Sequence, residues 1–204
     1  HAEVAASAAV SRAIPALAAL AEGIGDPLVR NRGTIGGSIA NADPAADYPA
    51  ALLGLGAQVQ TTHRRIEADD FFTGLFSTAL EPGELVVRVH FPIPVRAGYC
   101  KLANPASGYV TAGCFIADFG EGRVRVAVNG AGPCVFRQPD LERSLSRDFS
   151  PRALDGFRQS PEGLNTDLHA SAAYRAQLVA VAARRALAMA LGHAGASNPR
   201  TTPS

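Results

Sequence analysis

The chain has 204 residues, 47% of them hydrophobic, and a formal net charge of +1. That size supports one large or two small cores, and near-neutral charge argues against nucleic acid or an anionic membrane as the main partner. No run of 18 apolar residues occurs, so no membrane span is expected, and three widely spaced cysteines without a CxxC or Cys/His cluster encode neither a zinc nor an iron–sulfur site.

In chain order, residues 2–12 are strong helix formers, and Pro15 suits the first turn of a second helix, PALAALAEGI, ended by Gly23 and Gly25. Residues 26–50 carry Pro27, Pro44, Pro49 and a glycine cluster, which predicts mostly loop, closed by a short helix PAALLGLG. AQVQTT (57–62) suits a strand. ELVVRVHF (84–91) is a clearer strand, with Leu85, Val87, Val89 and Phe91 on one face. PIP at 92–94 reads as a hinge, because Pro removes ladder donors.

Beyond it GYCKLA suits a strand. GCFIADFGEGRVRVAVNGAG reads as a hairpin turning at Gly120-Glu121-Gly122, with Val124, Val126 and Val128 on one face and Arg123 and Arg125 solvated. Short helices are expected near 139–146 and 151–157, and a long one over 170–191 ending at Gly192, with Tyr174, Leu178, Leu187 and Leu191 as its core stripe. These elements predict an α+β protein in two parts, 1–93 and 94–195, with a disordered tail at 196–204.

The chemistry concentrates in RNRGTIGGSIANADPAADYPA, residues 30–50. Glycine removes the Cβ that would block a ligand, and successive backbone N–H groups can cradle an anion. Thr34 and Ser38 add hydroxyls, Asn41 an amide, and Asp43 and Asp47 carboxylates suited to sugar hydroxyls or to the backbone. The set suits a diphosphate-bearing cofactor, yet it is neither a Walker loop nor a GxGxxG fingerprint. On spacing alone a plain structural loop fits equally well, and the aspartates fit Asx-turns. His1, His63, His90, His169 and His193 are scattered and provide no acid/base pair, and GTIGGS is no nucleophile elbow.

The run from Arg32 to Asp47 resembles the second flavin-binding loop of the FAD subunit of molybdenum hydroxylases, a family that includes the carbon monoxide dehydrogenase medium subunit and the xanthine dehydrogenase flavin domain. HAEVAAS, FFTGLFSTALEPGELVVRVHFP, YCKLANPASGYVTAG and DLHASAAYRAQLVAVAARRAL follow the family's order. The resemblance implies a PCMH-type FAD-binding domain followed by a smaller α+β domain with an antiparallel sheet. It implies that Arg32, Gly33, Thr34, Ile35, Gly36, Gly37 and Ser38 form the cofactor loop, with Thr34 to Gly37 against the diphosphate and ribityl region. By the same resemblance Asn41, Asp43 and Asp47 serve cofactor hydroxyls or order the loop, and Val86 packs by a ring. Tyr99 then lies near the flavin face and Lys101 at its edge, where a cation favours the reduced anionic flavin.

The implied function is an FAD-binding electron-transfer subunit of a cytoplasmic oxidoreductase. Its implied partners are a molybdenum-cofactor large subunit and a 2Fe-2S small subunit in a dimer of heterotrimers. The rivals are a docking fragment without flavin and a free-standing flavin oxidase, against which NPASGY and ASAAYR argue. The sequence departs from the family in carrying no Ala-Gly-Gly stretch, and it opens at His1 in mid-pattern. The expectation is therefore a piece lacking the family's N-terminal subdomain, with no signal peptide.

Overall fold

The computed structural model describes residues 1–192; the expected tail and His193 lie outside the described residues. The first predicted helix is two, α1 (Ala2–Ala6) and α2 (Ala8–Ala13), divided at Ser7, whose hydroxyl accepts from the Val10 amide as the cap of the second. Pro15 opens α3 (Pro15–Glu22). The stretch expected as mostly loop holds two further helices ahead of the short helix expected to close it. In α4 (Pro27–Arg32) the Asp26 carboxylate caps the Leu28 and Val29 amides, and in α5 (Ile35–Asn41) Thr34 caps the Gly37 amide. Good caps and Pro at a first helical position outweigh the poor propensity of the glycines. In α6 (Tyr48–Leu55) every residue is buried, and Gly56 ends it at φ 61°.

The first sheet is antiparallel, in the order β2 (Arg65–Glu67), β1 (Gln58–Thr61), β5 (Val86–His90). Between its strands run α7 (Ala68–Phe71) and a small hairpin of β3 (Phe72–Gly74) and β4 (Ser77–Thr78). The expected apolar face of residues 84–91 forms only in its second half, where Val89 and Phe91 pack against the core. A bulge pairs Arg88 with Gln60 but Val86 with Thr61, so Val86 turns inward while Val87 is 59% exposed and Leu85 66%. One extra residue in a ladder moves each later side chain to the other face.

The second sheet is antiparallel in the order β6 (Arg96–Ala103), β7 (Val110–Asp118), β8 (Val124–Asn129), β9 (Phe136–Arg137). Gly120, Glu121 and Gly122 all have positive φ at the predicted hairpin turn. Helix α8 (Pro139–Arg147), a 3-10 turn (Pro151–Leu154) and α9 (Ala172–Ala190) complete the chain.

The second sheet is covered on both faces. Cys114 and Ile116 of β7 pack with Val124 and Val126 against Ala182, Ala183, Ala186 and Leu187 of α9, while Phe115, Ala117 and Ala127 join the core built around α6. Of the predicted stripe, Leu187 is buried and Leu178 and Leu191 pack against the core, while Tyr174 is half exposed, and the rest of the buried face is alanine-rich. Gly98 explains the choice: a Cβ there would run into the Ala186 carbonyl and lie 2.7 Å from the Ala190 nitrogen. Helix and strand backbones touch, which only small residues allow. Arg125, expected in solvent, crosses instead to α6, donating to the Leu53 carbonyl (2.8 and 3.0 Å) and pairing with Asp69 at 2.6 Å. It adds a charged donor to a helix-end carbonyl that also accepts from the Gly56 amide at 3.2 Å.

Candidate functional site

The segment from Asp43 to Asp47 links the glycine stretch to α6 and is held from the second sheet. The Pro44 carbonyl accepts from the Gly130 amide (2.8 Å), the Ala45 carbonyl from the Val110 amide (3.3 Å) and the Ala46 carbonyl from Asn129 Nδ2 (2.7 Å). Asp43 closes an Asx-turn, its Oδ1 accepting from the Ala45 amide at 2.8 Å. Gly130 supplies the positive φ (76°) for its part; a Cβ there would lie 2.7 Å from the Val110 carbonyl.

This seating brings Asp47, Tyr99 and Lys101 together. Asp47 is 6% exposed and Lys101 8%. Lys101 Nζ lies 3.1 Å from Asp47 Oδ1 and 3.2 Å from Oδ2, and donates to the Gly23 carbonyl at 2.6 Å. The Tyr99 hydroxyl donates to Asp47 Oδ1 at 2.8 Å. Burial pushes the Asp47 carboxyl above its ordinary range, and the Lys101 charge and Tyr99 hydroxyl act against that rise. Burial also holds the Tyr99 phenol well above its usual value, with the Asp47 charge next in effect, so it remains a donor. The Tyr99 ring packs tilted on Phe115, with centroids 6.0 Å apart.

The other predicted residues lie apart from this cluster. Thr34 and Gly37 stand on the exposed first turn of α5, where a Gly37 Cβ would meet only Thr34 Oγ1 at 3.1 Å. A Gly36 Cβ would make ordinary contact with Val86, 3.7 Å away, so Gly36 and Val86 are neighbours. Ile35 is partly buried against the core, Ser38 is half-buried, and Arg32 and Asn41 are exposed. Gly33 differs from the other glycines: a Cβ there would strike the His1 ring, which packs on Tyr48 with centroids 5.1 Å apart.

Lys101 lines a cleft of about 920 Å³ with Gly23, Gly25, Arg30, Asn104 and Tyr174. Asp43 lines a neighbouring one of about 400 Å³ with Phe76, Tyr109 and Arg175. Thr34 to Ser38 border neither. Asn129 was not anticipated as part of this cluster. Its only sequence signal is the Asn129-Gly130 pair, an ordinary turn signature.

The residues suit a large cofactor. At Gly36 neither a positive φ nor tight packing within the chain demands glycine, and at Gly37 the one close neighbour of a Cβ is the capping Thr34 hydroxyl at 3.1 Å, so both positions are otherwise open to something outside the chain. The Gly37 amide is taken by the Thr34 hydroxyl, and the Ile35 and Gly36 amides of that first turn have no intrahelical acceptor. This donor set is compatible with a flavin-binding oxidoreductase component.

The comparisons give the family. The profile described as "FAD binding domain in molybdopterin dehydrogenase" matches residues 1–94. The nicotine 6-hydroxylase medium subunit of Paenarthrobacter nicotinovorans is 36% identical over 92% of this chain and 71% of its own length. The carbon monoxide dehydrogenase medium chain of Hydrogenophaga pseudoflava is 31% identical over 87% and 67%. Among solved structures, carbon monoxide dehydrogenase from Hydrogenophaga pseudoflava superposes with a TM-score of 0.81 at 30% identity, covering 93% of this chain and 71% of that one. Quinoline 2-oxidoreductase from Pseudomonas putida 86 gives 0.80 at 27%, covering 94% and 72%. The chain belongs to the family of FAD-binding medium subunits of molybdenum hydroxylases, and its cofactor is FAD. No helix among the described residues is long and apolar enough to cross a membrane.

Proposed function

We propose that this chain carries electrons from iron–sulfur clusters to an external acceptor, a quinone, NAD or oxygen, within a molybdenum hydroxylase. In this reading it works in the cytoplasm with a molybdenum-cofactor large subunit and a 2Fe-2S small subunit, as a dimer of heterotrimers. Relatives named as medium subunits, and one named as a subunit of a dehydrogenase complex, support that assembly. The observation that carries the reading is the buried Asp47–Lys101–Tyr99 cluster, tied by backbone bonds to the segment that continues the glycine stretch.

FAD, when bound, accepts electrons singly and releases them singly or as a hydride. The chain's own residues orient and tune. Thr34 to Gly37 admit the diphosphate, with Arg32, Gly33 and Ser38 flanking it, and Asn41, Asp43 and Asp47 meet hydroxyls or order the loop. Val86 packs beside a ring, and Tyr99 and Lys101 present a face and a cation. Because Lys101 is paired with Asp47, its charge is fixed in place and partly balanced. No acid or base is required of this chain.

The test is the visible spectrum of the purified chain after incubation with FAD and gel filtration, with and without the partner subunits. Retained flavin in the wild type and loss in Gly37→Val is the expected result, because a branched side chain would fill the space that Gly37 leaves open. Equal retention by both proteins would overturn the loop assignment. Reduction of the bound flavin through the assembled complex, followed by reoxidation by quinone, NAD or oxygen, then identifies the acceptor.

A further inference from the structure

Asn129 is fully buried at the end of β8, and nothing in the family's motif, as read above, involves it. Its amide has one possible orientation. The Ala46 carbonyl, 2.7 Å away, can only accept, so the NH2 end must face it. The same nitrogen lies 3.2 Å from the Tyr99 hydroxyl oxygen. Because an amide nitrogen only donates, the Tyr99 oxygen must accept there, and its one proton is left for Asp47 Oδ1 at 2.8 Å. Among the described residues Asn129 Oδ1 has no hydrogen-bond partner, and it faces Gly113, where a Cβ would collide with it. A buried acceptor left without a partner is costly, so the two donor contacts outweigh it.

We propose that Asn129 is a positioning residue of the flavin site: its amide locks the Tyr99 hydroxyl as a donor to Asp47 and so keeps the Asp47 carboxylate in its charged, Lys101-paired form. The proposal rests on the reading of Asp47, Tyr99 and Lys101 as flavin-site residues. The relay runs Asn129 to Tyr99 to Asp47, each bond polarising the next in a dry environment. The groups facing Asp47 are Lys101 and Tyr99 from β6 and Tyr48 from α6, whose phenol is itself held neutral by burial. Only the Tyr99 contact depends on Asn129.

The experiment is a carboxyl-carbon NMR titration of Asp47 in the cofactor-free 204-residue chain, for wild type, Asn129→Leu, Tyr99→Phe and the double variant. Asn129→Leu is expected to raise proton affinity at Asp47 roughly three-fold, the scale of one weakened buried hydrogen bond. In the Tyr99→Phe background the same change should move nothing, because the relay is already broken. An equal shift in both backgrounds would show that Asn129 acts through packing or through the Ala46 carbonyl, and no shift in either would show no coupling; both results overturn the proposal. If Asn129→Leu does not fold, the wild type decides. A slowly exchanging Tyr99 hydroxyl proton close to the Asn129 amide protons is required, and a freely exchanging one rejects the relay. Failure of the flavin reading is visible elsewhere: Asp47→Asn would then bind added FAD as well as the wild type, whatever the cofactor-free titrations show.

Discussion

Lys101 and Asp47 carry the sharpest energetic consequences of single side chains. Two charges out of water are tolerable only while each has the other, and removing one partner of a buried pair costs about 3–5 kcal/mol. Lys101→Met is therefore expected to lower unfolding free energy by about 3 kcal/mol, read by urea denaturation at neutral pH. Acidification should relieve that loss. With the Asp47 pKa raised in the fold, the folded state holds the proton more tightly than the unfolded chain, so stability recovers as pH falls. A Lys101→Met loss that stays constant from pH 7 to acid would contradict the pairing.

Glu84 behaves in the opposite sense. The Thr61 hydroxyl (2.6 Å), the Glu81 amide (2.8 Å) and Arg64 hold its carboxyl down to about 2 from an ordinary 4.5. Its stabilising contribution is complete above 4.5 and is lost as pH falls through about 2. The melting temperature of the wild type should fall across that window more steeply than that of Glu84→Gln; parallel curves would dismiss the effect. His63, Glu81 and Glu84 stand close enough to suggest a cation site, but Arg64 already supplies the positive charge between the two carboxylates.

At the scale of elements, the tightest joint is α9 on β6. Gly98→Ala would push the helix off the strand, because its new carbon meets backbone atoms, which cannot rotate away. A loss of about 1–3 kcal/mol is expected, the usual cost of overpacking. Calorimetry checks it, and an unchanged midpoint would mean that α9 has slack. The glycine stretch is an element-scale lesson too. Glycines at 36 and 37 are poor helix formers, yet Thr34 caps them into α5. The helix presents a short, bare first turn in place of an extended loop.

For the whole molecule, one apolar core runs across the division expected at the PIP segment. Residues of α6 and of the first sheet share one apolar cluster with Phe115, Ala117 and Ala127 of the second sheet. Arg125, Asn129 and Lys101 add long-range hydrogen bonds across the same joint. Urea unfolding is therefore expected to be a single transition, superimposable by far-ultraviolet dichroism and tyrosine fluorescence. Two separated transitions would show that the halves are independent.

Most elements were legible because their signals are local: Pro15 and Gly23 around α3, the Gly120-Glu121-Gly122 turn, and the alternation of Val124, Val126 and Val128. The class of protein was legible too, since the order of residues from Arg32 to Asp47 is distinctive by itself. What the tertiary structure alone decided depends on pairs distant in the chain. Tyr99 and Lys101 meet Asp47 across more than fifty positions, Asn129 reaches Ala46 across more than eighty, and Arg125 finds Leu53 across more than seventy. The bulge that exposes Val87 and the alanine stripe beneath Gly98 are likewise properties of a partner strand and a partner helix. Periodicity and composition describe which residues prefer burial; they carry no term for which buried polar group will find which partner, because that is fixed by the register and approach of elements far apart in sequence.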